Sequence, residues 1–163
     1  MIEVRAAAEA DLAAVLAIYN DAVVNTTAVY DYAPRTLEAE RAWFAAKREA
    51  GLPVLAAVAE GRVVGFASYG SFRPWPAYLH TVEHSIYVAP EMRGRGVGTA
   101  LLGPLIERAQ AAGLHTMVAG IDAANEASLK LHRKFGFVEA GRMRQVGWKF
   151  DRWLDLVFMQ RML

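Results

Sequence analysis

Apolar positions recur along the 163 residues with two different spacings, and the alternation between them predicts a mixed order of strands and helices. Ile2 to Arg5 alternates apolar and polar as a short strand does. From Asp11 to Val23 the residues Leu12, Val15, Leu16, Tyr19 and Val23 fall on one helical face. A polar and aromatic turn occupies 25–34. Thr36 then stands as the N-cap of a second helix, with Glu38 and Glu40 in its first turn at the positive end of the dipole, ending at Gly51. Val54 to Ala59 and Val63 to Tyr69 flank Glu60-Gly61, the pattern of a hairpin. A loop from Ser71 to His80 with two prolines and three aromatics leads into a strand at Thr81 to Val88. After a glycine-rich turn an apolar helix runs to Ala112 and stops at Gly113; Pro104 within it lacks the N–H for residue 100 and predicts a bend. A strand at Thr116 to Ile121, a short helix from Asn125 stopped by Gly136, and strands at Val138 to Val146 and Leu154 to Met162 complete the chain. No repeat, linker or low-complexity segment interrupts it, so one α/β domain over residues 1–163 is expected.

Composition narrows the classes. A content of 55% hydrophobic and 21% charged residues suits a globular domain with a substantial core. A formal net charge of +1 gives no general attraction to nucleic acid or to an anionic membrane, and neither is expected as a partner. With no cysteine, the chain has no disulfide, no thiolate metal site and no cysteine acyl-enzyme; no metal is expected. The opening Met1-Ile2-Glu3-Val4-Arg5 has neither a basic n-region nor an apolar h-region, and no apolar run is long enough to span a bilayer, which predicts a cytoplasmic protein.

Candidate chemistry concentrates in Ser85 to Ala100, where a β-branched and aromatic run stops at Pro90, Arg93-Gly94-Arg95-Gly96-Val97-Gly98-Thr99 follows, and an apolar helix begins at once. Amides without partners in the first helical turn, the macrodipole and glycines that admit close approach make such a junction an anion site, and Arg93 and Arg95 add positive charge. On the loop alone, a glycine-rich turn with solvated arginines is the alternative. A Walker loop is excluded, because Gly98 is followed by Thr99 and Ala100 and no lysine stands there. A dinucleotide fingerprint fails as well, with Thr99 where the third small residue belongs and a position in mid-chain. A second polar row lies downstream: Asn125, Ser128 and His132 share one helical face beside an apolar stripe of Leu131 and Phe135.

Arg93-x-x-Gly96-x-Gly98 resembles the pyrophosphate loop of the GNAT family of N-acetyltransferases, and Asn-x-x-Ser ahead of Gly136-Phe137 resembles that family's second cofactor element. The likeness extends over nearly the whole chain to the phosphinothricin and methionine sulfoximine N-acetyltransferase branch. It is carried by Ile18 to Val23, Asn25 to Ala28, Ala67 to Gly70, Arg73-Pro74-Trp75, Thr81 to Val88, Leu131-His132, Val146 to Phe150 and Trp153 to Leu156. The resemblance implies a GNAT fold, a central mixed and mostly antiparallel twisted sheet of six to seven strands flanked by helices. It implies acetyl-CoA as co-substrate, held by main chain at Ile86, Tyr87 and Val88, by the loop Arg93, Gly94, Arg95, Gly96, Val97, Gly98 and Thr99, and by Asn125, Ser128 and Lys134. Helical spacing points Lys134 roughly opposite Asn125. The acceptor site implied is Arg73, Pro74 and Trp75 with Glu83, His84 and Ser85, and the assembly a homodimer with its active site near the interface.

Transfer to an amine needs a base, because most α-amine arrives protonated at neutral pH. Glu83, on the strand that feeds the glycine loop, is the candidate; pairing with an arginine is its alternative. A main-chain N–H near Val88 is the candidate donor to the acetyl oxygen. For the departing thiolate many family members carry a tyrosine where this chain has His132, either an acid or a histidine packed beside the cofactor; replacing it with Phe is expected to lower turnover with little effect on folding. Arg73 offers a planar fork to a carboxylate or to an oxidised sulfur or phosphorus group. The expected function is therefore acetyl transfer from acetyl-CoA to the α-amine of a small amino-acid-like acceptor by direct attack. Two alternatives stand beside it: acetylation of a protein N-terminus or polyamine, and a non-catalytic acyl-CoA-binding module. The block Trp148, Lys149, Phe150, Arg152 and Trp153 either reaches a neighbouring subunit's pocket or belongs to core and surface.

Overall fold

Seven strands hydrogen-bond into one sheet in a computed structural model that describes residues 1–163. Numbered in chain order they are β1 (Ile2–Ala6), β2 (Val54–Ala59), β3 (Arg62–Ser71), β4 (Thr81–Val88), β5 (Thr116–Asp122), β6 (Val138–Lys149) and β7 (Arg152–Met162). Across the sheet they lie in the order β1-β2-β3-β4-β5-β7-β6. All pairs are antiparallel except β4 with β5, which are joined through a helix as parallel neighbours must be. The helices are α1 (Leu12–Asn25), α2 (Leu37–Glu49), α3 (Val97–Ala111) and α4 (Glu126–Lys134). The mixed, mostly antiparallel sheet flanked by helices is the architecture expected from the sequence.

The two-residue period of the strands divides the helices between the faces. Phe66 and Tyr87 point toward α1 and α2, where Val15, Ile18, Tyr19 and Trp43 meet them. Leu55, Ala67, Val82 and Met117 point the other way, onto Leu101, Leu102, Leu105 and Ile106 of α3 and Leu129 of α4. Thr36 caps α2 as its position predicts, its Oγ1 accepting from the Ala39 amide at 3.1 Å. Glu40, expected to serve the dipole, is instead fully buried, with one carboxylate oxygen 2.7 Å from Arg35, whose guanidinium lies 4.1 Å from the Tyr19 ring centre. That pair fixes α2 to α1.

Two turns behave differently. Glu60 and Gly61 both have positive φ, 50° and 72°, as a tight hairpin requires. The last hairpin turns at Phe150 and Asp151, with φ of 53° and 55°, so β6 and β7 run three residues past and two residues before the expected ends. No glycine marks that turn, and Gly147 lies inside β6. Helix α3 continues through Pro104 to Ala111. No helix is long and apolar enough to cross a membrane.

Gly65 is where β3 and α3 come closest: a Cβ there would lie 2.8 Å from Val97 Cγ1 and 3.0 Å from the Tyr87 carbonyl oxygen. Gly65→Ala is therefore expected to lower stability by about 1–3 kcal/mol in denaturant titration, because neither a β-branched side chain nor a strand carbonyl can yield. The exposed Gly141, with nothing near its missing Cβ, is the control.

Candidate active site

The parallel pair β4–β5 is short. Only Thr81, Val82 and Glu83 are in register with Thr116, Met117 and Val118. Beyond them β4 stays with β3 to Val88 and β5 stays with β7 to Asp122, so the two strands part and leave facing main-chain edges at 84–88 and 119–122. A cleft of about 990 Å³ opens in the gap. It is lined by His84, Ser85, Ile86, Tyr87 and Val88 from β4, by Arg93, Gly94, Gly96, Val97, Gly98 and Thr99 from the loop and α3, and by Asn125, Ser128, His132 and Lys134 around α4. Arg95 lies outside this lining, as do Arg73, Pro74, Trp75 and Glu83.

At the loop end, Gly94 and Gly96 adopt left-handed φ of 75° and 85°, which carries the chain into α3 without side chains in the way. The first bond of α3 runs from the Ala100 amide to the Gly96 carbonyl at 3.0 Å, so the amides of Val97, Gly98 and Thr99 have no helical acceptor. No acidic residue stands in that first turn. This geometry fits a diphosphate. Gly98 serves another need: a Cβ there would meet Leu131 Cδ2 at 2.9 Å, so its absence lets α4 pack on α3. Arg93 pairs with Asp21 at 2.7 Å, which ties the loop to α1. Asn125 caps α4, its Oδ1 accepting from the Ser128 amide at 3.1 Å, and Lys134 reaches the cleft from the other end of the helix despite its position opposite Asn125.

His132 is buried, with Nδ1 2.7 Å from the Ser128 carbonyl and Nε2 3.1 Å from His84 Nε2. A carbonyl only accepts, so His132 carries its proton on Nδ1 and its Nε2 receives the proton of His84 Nε2. His84 Nδ1 is then an acceptor with no partner. Burial, reinforced by the neighbouring imidazole, pushes the His84 pKa down to about 3, and burial also lowers that of His132. Both rings are neutral at pH 7. His132→Phe would strip His84 of its acceptor, so the expectation that this change spares folding is corrected by the geometry.

Glu83 occupies the last position at which β4 pairs with β5, with Oε1 3.2 Å from where a Cβ of Gly120 would be. Burial raises its pKa, and Arg73 at 3.9 Å works weakly against that. Arg73 folds back over Phe72, donating to the Phe72 carbonyl at 2.7 Å. Glu83, Ser85 and Tyr87 alternate toward the α1 face, whereas His84 points to α4, so the carboxylate and the imidazole pair stand on opposite faces of the sheet.

Three side chains that the sequence did not single out for the cleft wall also shape it. The Lys149 ammonium is buried and donates to the carbonyls of Val23, Thr26 and Val29, the last two at 2.8 and 2.7 Å. Tyr30 donates to Asp122 at 2.9 Å, and Tyr32 to the Trp148 carbonyl. Lys149 thus reaches its own chain. No local pattern marks these pairs, whose members lie 92 to 126 residues apart.

Comparison with known proteins agrees with this geometry. Residues 14–137 match the acetyltransferase (GNAT) family. The chain is 54% identical over 158 residues to the L-methionine sulfoximine/L-methionine sulfone acetyltransferase of Pseudomonas paraeruginosa, covering 96% of this chain and 92% of that one. Among solved structures, an N-acetyltransferase from Staphylococcus aureus superimposes with a TM-score of 0.98 at 53% identity, covering 99% of this chain and 98% of the other. A GNAT superfamily phosphinothricin acetyltransferase from Sinorhizobium meliloti, in complex with acetyl-CoA, does so with 0.97 at 40% identity, covering 99% and 88%. A sheet that parts beside a glycine-lined helix start, and likeness over almost the full length, lead to one conclusion: the chain belongs to the GNAT family of acetyltransferases.

Proposed function

We propose that this protein transfers the acetyl group of acetyl-CoA to the α-amine of a small amino-acid acceptor of the methionine sulfoximine, methionine sulfone or phosphinothricin type. The observation that carries the reading is the parting of β4 from β5 at Glu83, which connects the two faces of the sheet at a half-buried carboxylate. The names of the relatives supply the acceptor class. Bound acetyl-CoA supplies an acetyl thioester. Gly94 to Thr99, with Arg93 and Arg95, hold its phosphates; the free edge of Ile86, Tyr87 and Val88 offers main-chain hydrogen bonds to the pantetheine; Asn125, Ser128 and Lys134 complete its wall.

On the opposite face Glu83 accepts the ammonium proton, directly or through water, and burial, which raises its pKa, makes it a better proton acceptor than an exposed carboxylate. Arg73, Pro74 and Trp75, with His84 and Ser85, bound the acceptor, and Arg73 swings from the Phe72 carbonyl to an anionic group of the substrate. His132 is assigned to the departing thiolate as a hydrogen-bond donor: its Nδ1–H turns from the Ser128 carbonyl to the sulfur while the ring stays neutral, and the proton the thiolate finally takes comes from solvent. The reading includes a single domain over residues 1–163, a cytoplasmic location and a homodimer, the last supported by the exposed Met143, Val146, Trp148 and Trp153 of β6 and β7.

The test is thiol release from acetyl-CoA with methionine sulfoximine, methionine sulfone, phosphinothricin and peptides. Release with the amino acids and not with peptides is expected, and release with none removes the reading. In the same assay Glu83→Gln should lower turnover by about 10² to 10⁴ without a fall in melting temperature. Arg73→Ala should raise KM for the amino acid more than it lowers kcat; an unchanged KM would take Arg73 out of the pocket. The histidine pair predicts a pH effect on stability. Both native pKa values lie below the unfolded value of 6.5, so the unfolded chain alone takes up protons below that pH. Stability is level above it and falls with acidification at up to about 1.4 kcal/mol per pH unit for each histidine. His132→Phe should unfold more easily at neutral pH, show a shallower acid slope and lower turnover. A retained rate would leave the pair a purely structural role.

A further inference from the structure

Helix α1 ends with carbonyls that have no helical donor and no basic residue in its last turn. Thr26 Oγ1 takes the Ala22 carbonyl at 2.6 Å. The rest is done from the far side of the molecule: the Lys149 ammonium, carried by β6, donates one N–H to Val23 at the helix end and the other two to Thr26 and Val29 in the segment that follows. An ammonium has three donors, and all three are used. Its positive charge also sits at the negative end of the α1 dipole.

The segment so held is a wall of the cleft. Asn25, Thr26, Thr27 and Ala28 line it together with Gly120 and Asp122 of β5. They approach from the α1 face, toward which Glu83, Ser85 and Tyr87 also point, and away from the α3 and α4 face, where the phosphate loop and the histidine pair stand. The tie therefore spans the two halves of the sheet that separate beyond Glu83, one carrying α1 and the other carrying β6. Tyr30 supports it from the same segment: its hydroxyl meets Asp122, and its ring fills the space where a Gly147 Cβ would lie, 2.7 Å from Tyr30 Cε2.

We propose that Lys149 is a positioning residue that fixes residues 23–29 as the acceptor-side wall of the cleft, so that acceptor binding depends on an ammonium that never touches the substrate. The assignment of this wall to the acceptor rests on the function proposed above. Lys149→Met keeps the length and apolar bulk of the stem while leaving three carbonyls without their donor. In the full-length variant, amide hydrogen exchange is expected to rise across 23–30 and to stay unchanged at the start of α3. KM for the amino-acid acceptor is expected to rise about tenfold, with KM for acetyl-CoA unmoved. A general loss of packing would move both. Unchanged exchange in 23–30 overturns the proposal, as does a parallel rise in both KM values or an acceptor KM equal to that of the unaltered protein. Where Lys149→Met does not fold, Lys149→Gln, which retains two N–H donors, carries the same readouts, and Tyr30→Phe should shift the acceptor KM in the same direction by less. Failure of the acceptor reading itself is seen separately, as absence of thiol release by the unaltered protein, and the exchange measurement needs no substrate.

Discussion

Backbone hydrogen bonding in a sheet is close to obligatory, and the central fact of this molecule is a place where it stops. β4 and β5 share three register pairs and then separate, each retaining a partner on its outer side only. Two edges of main chain consequently face each other across a gap inside the sheet, away from its rims. The separation is stable because what flanks it is not symmetrical. β4 is held by β3 and by the aromatic packing of Tyr87 on Phe66 and Tyr19, while β5 is held by β7 and by the tie from Asp122 to Tyr30. Main chain left free in this way offers donors and acceptors to an extended ligand, which suits a pantetheine better than a compact metabolite.

The gap also explains how two chemistries share one short strand. Because side chains alternate along β4, Glu83 and His84 are neighbours in sequence and yet look out from opposite faces. A carboxylate with a raised pKa and a pair of neutral imidazoles are kept apart by the thickness of one sheet. In the function proposed above, the cofactor and the acceptor would enter from the two sides and meet in the opening between them.

How much of this was legible beforehand follows from how local each cause is. The start of α3, with its unpaired amides, depends on consecutive residues, so Gly94, Gly96 and the absence of acidic residues announce it directly. The caps at Thr36 and Asn125 and the Glu60-Gly61 turn are local in the same sense. Gly98, expected to admit a phosphate, also answers to a distant neighbour, since its missing side chain makes room for Leu131 on another helix. Glu40, Lys149 and the His84–His132 pair could not be read in this way. Lys149 and the two histidines have their burial compensated by partners far along the chain, and Glu40, whose partner Arg35 is near in sequence, is buried by the packing of α2 against α1; the same residue types in the same local pattern would ordinarily be solvated. The final turn was missed because Phe150 and Asp151 take a conformation that glycine or asparagine usually signals.

Strand order has a consequence for how the polypeptide acquires its shape. β7, which follows β6 along the chain, lies between β5 and β6 and not at a rim. Until it arrives, β5 has a partner along three residues of one edge and none on the other, and β6 has no neighbour at all. A polypeptide in which β7 has not yet docked leaves the apolar β5 with an open edge, so this strand acts as the keystone on which escape from aggregation during folding depends.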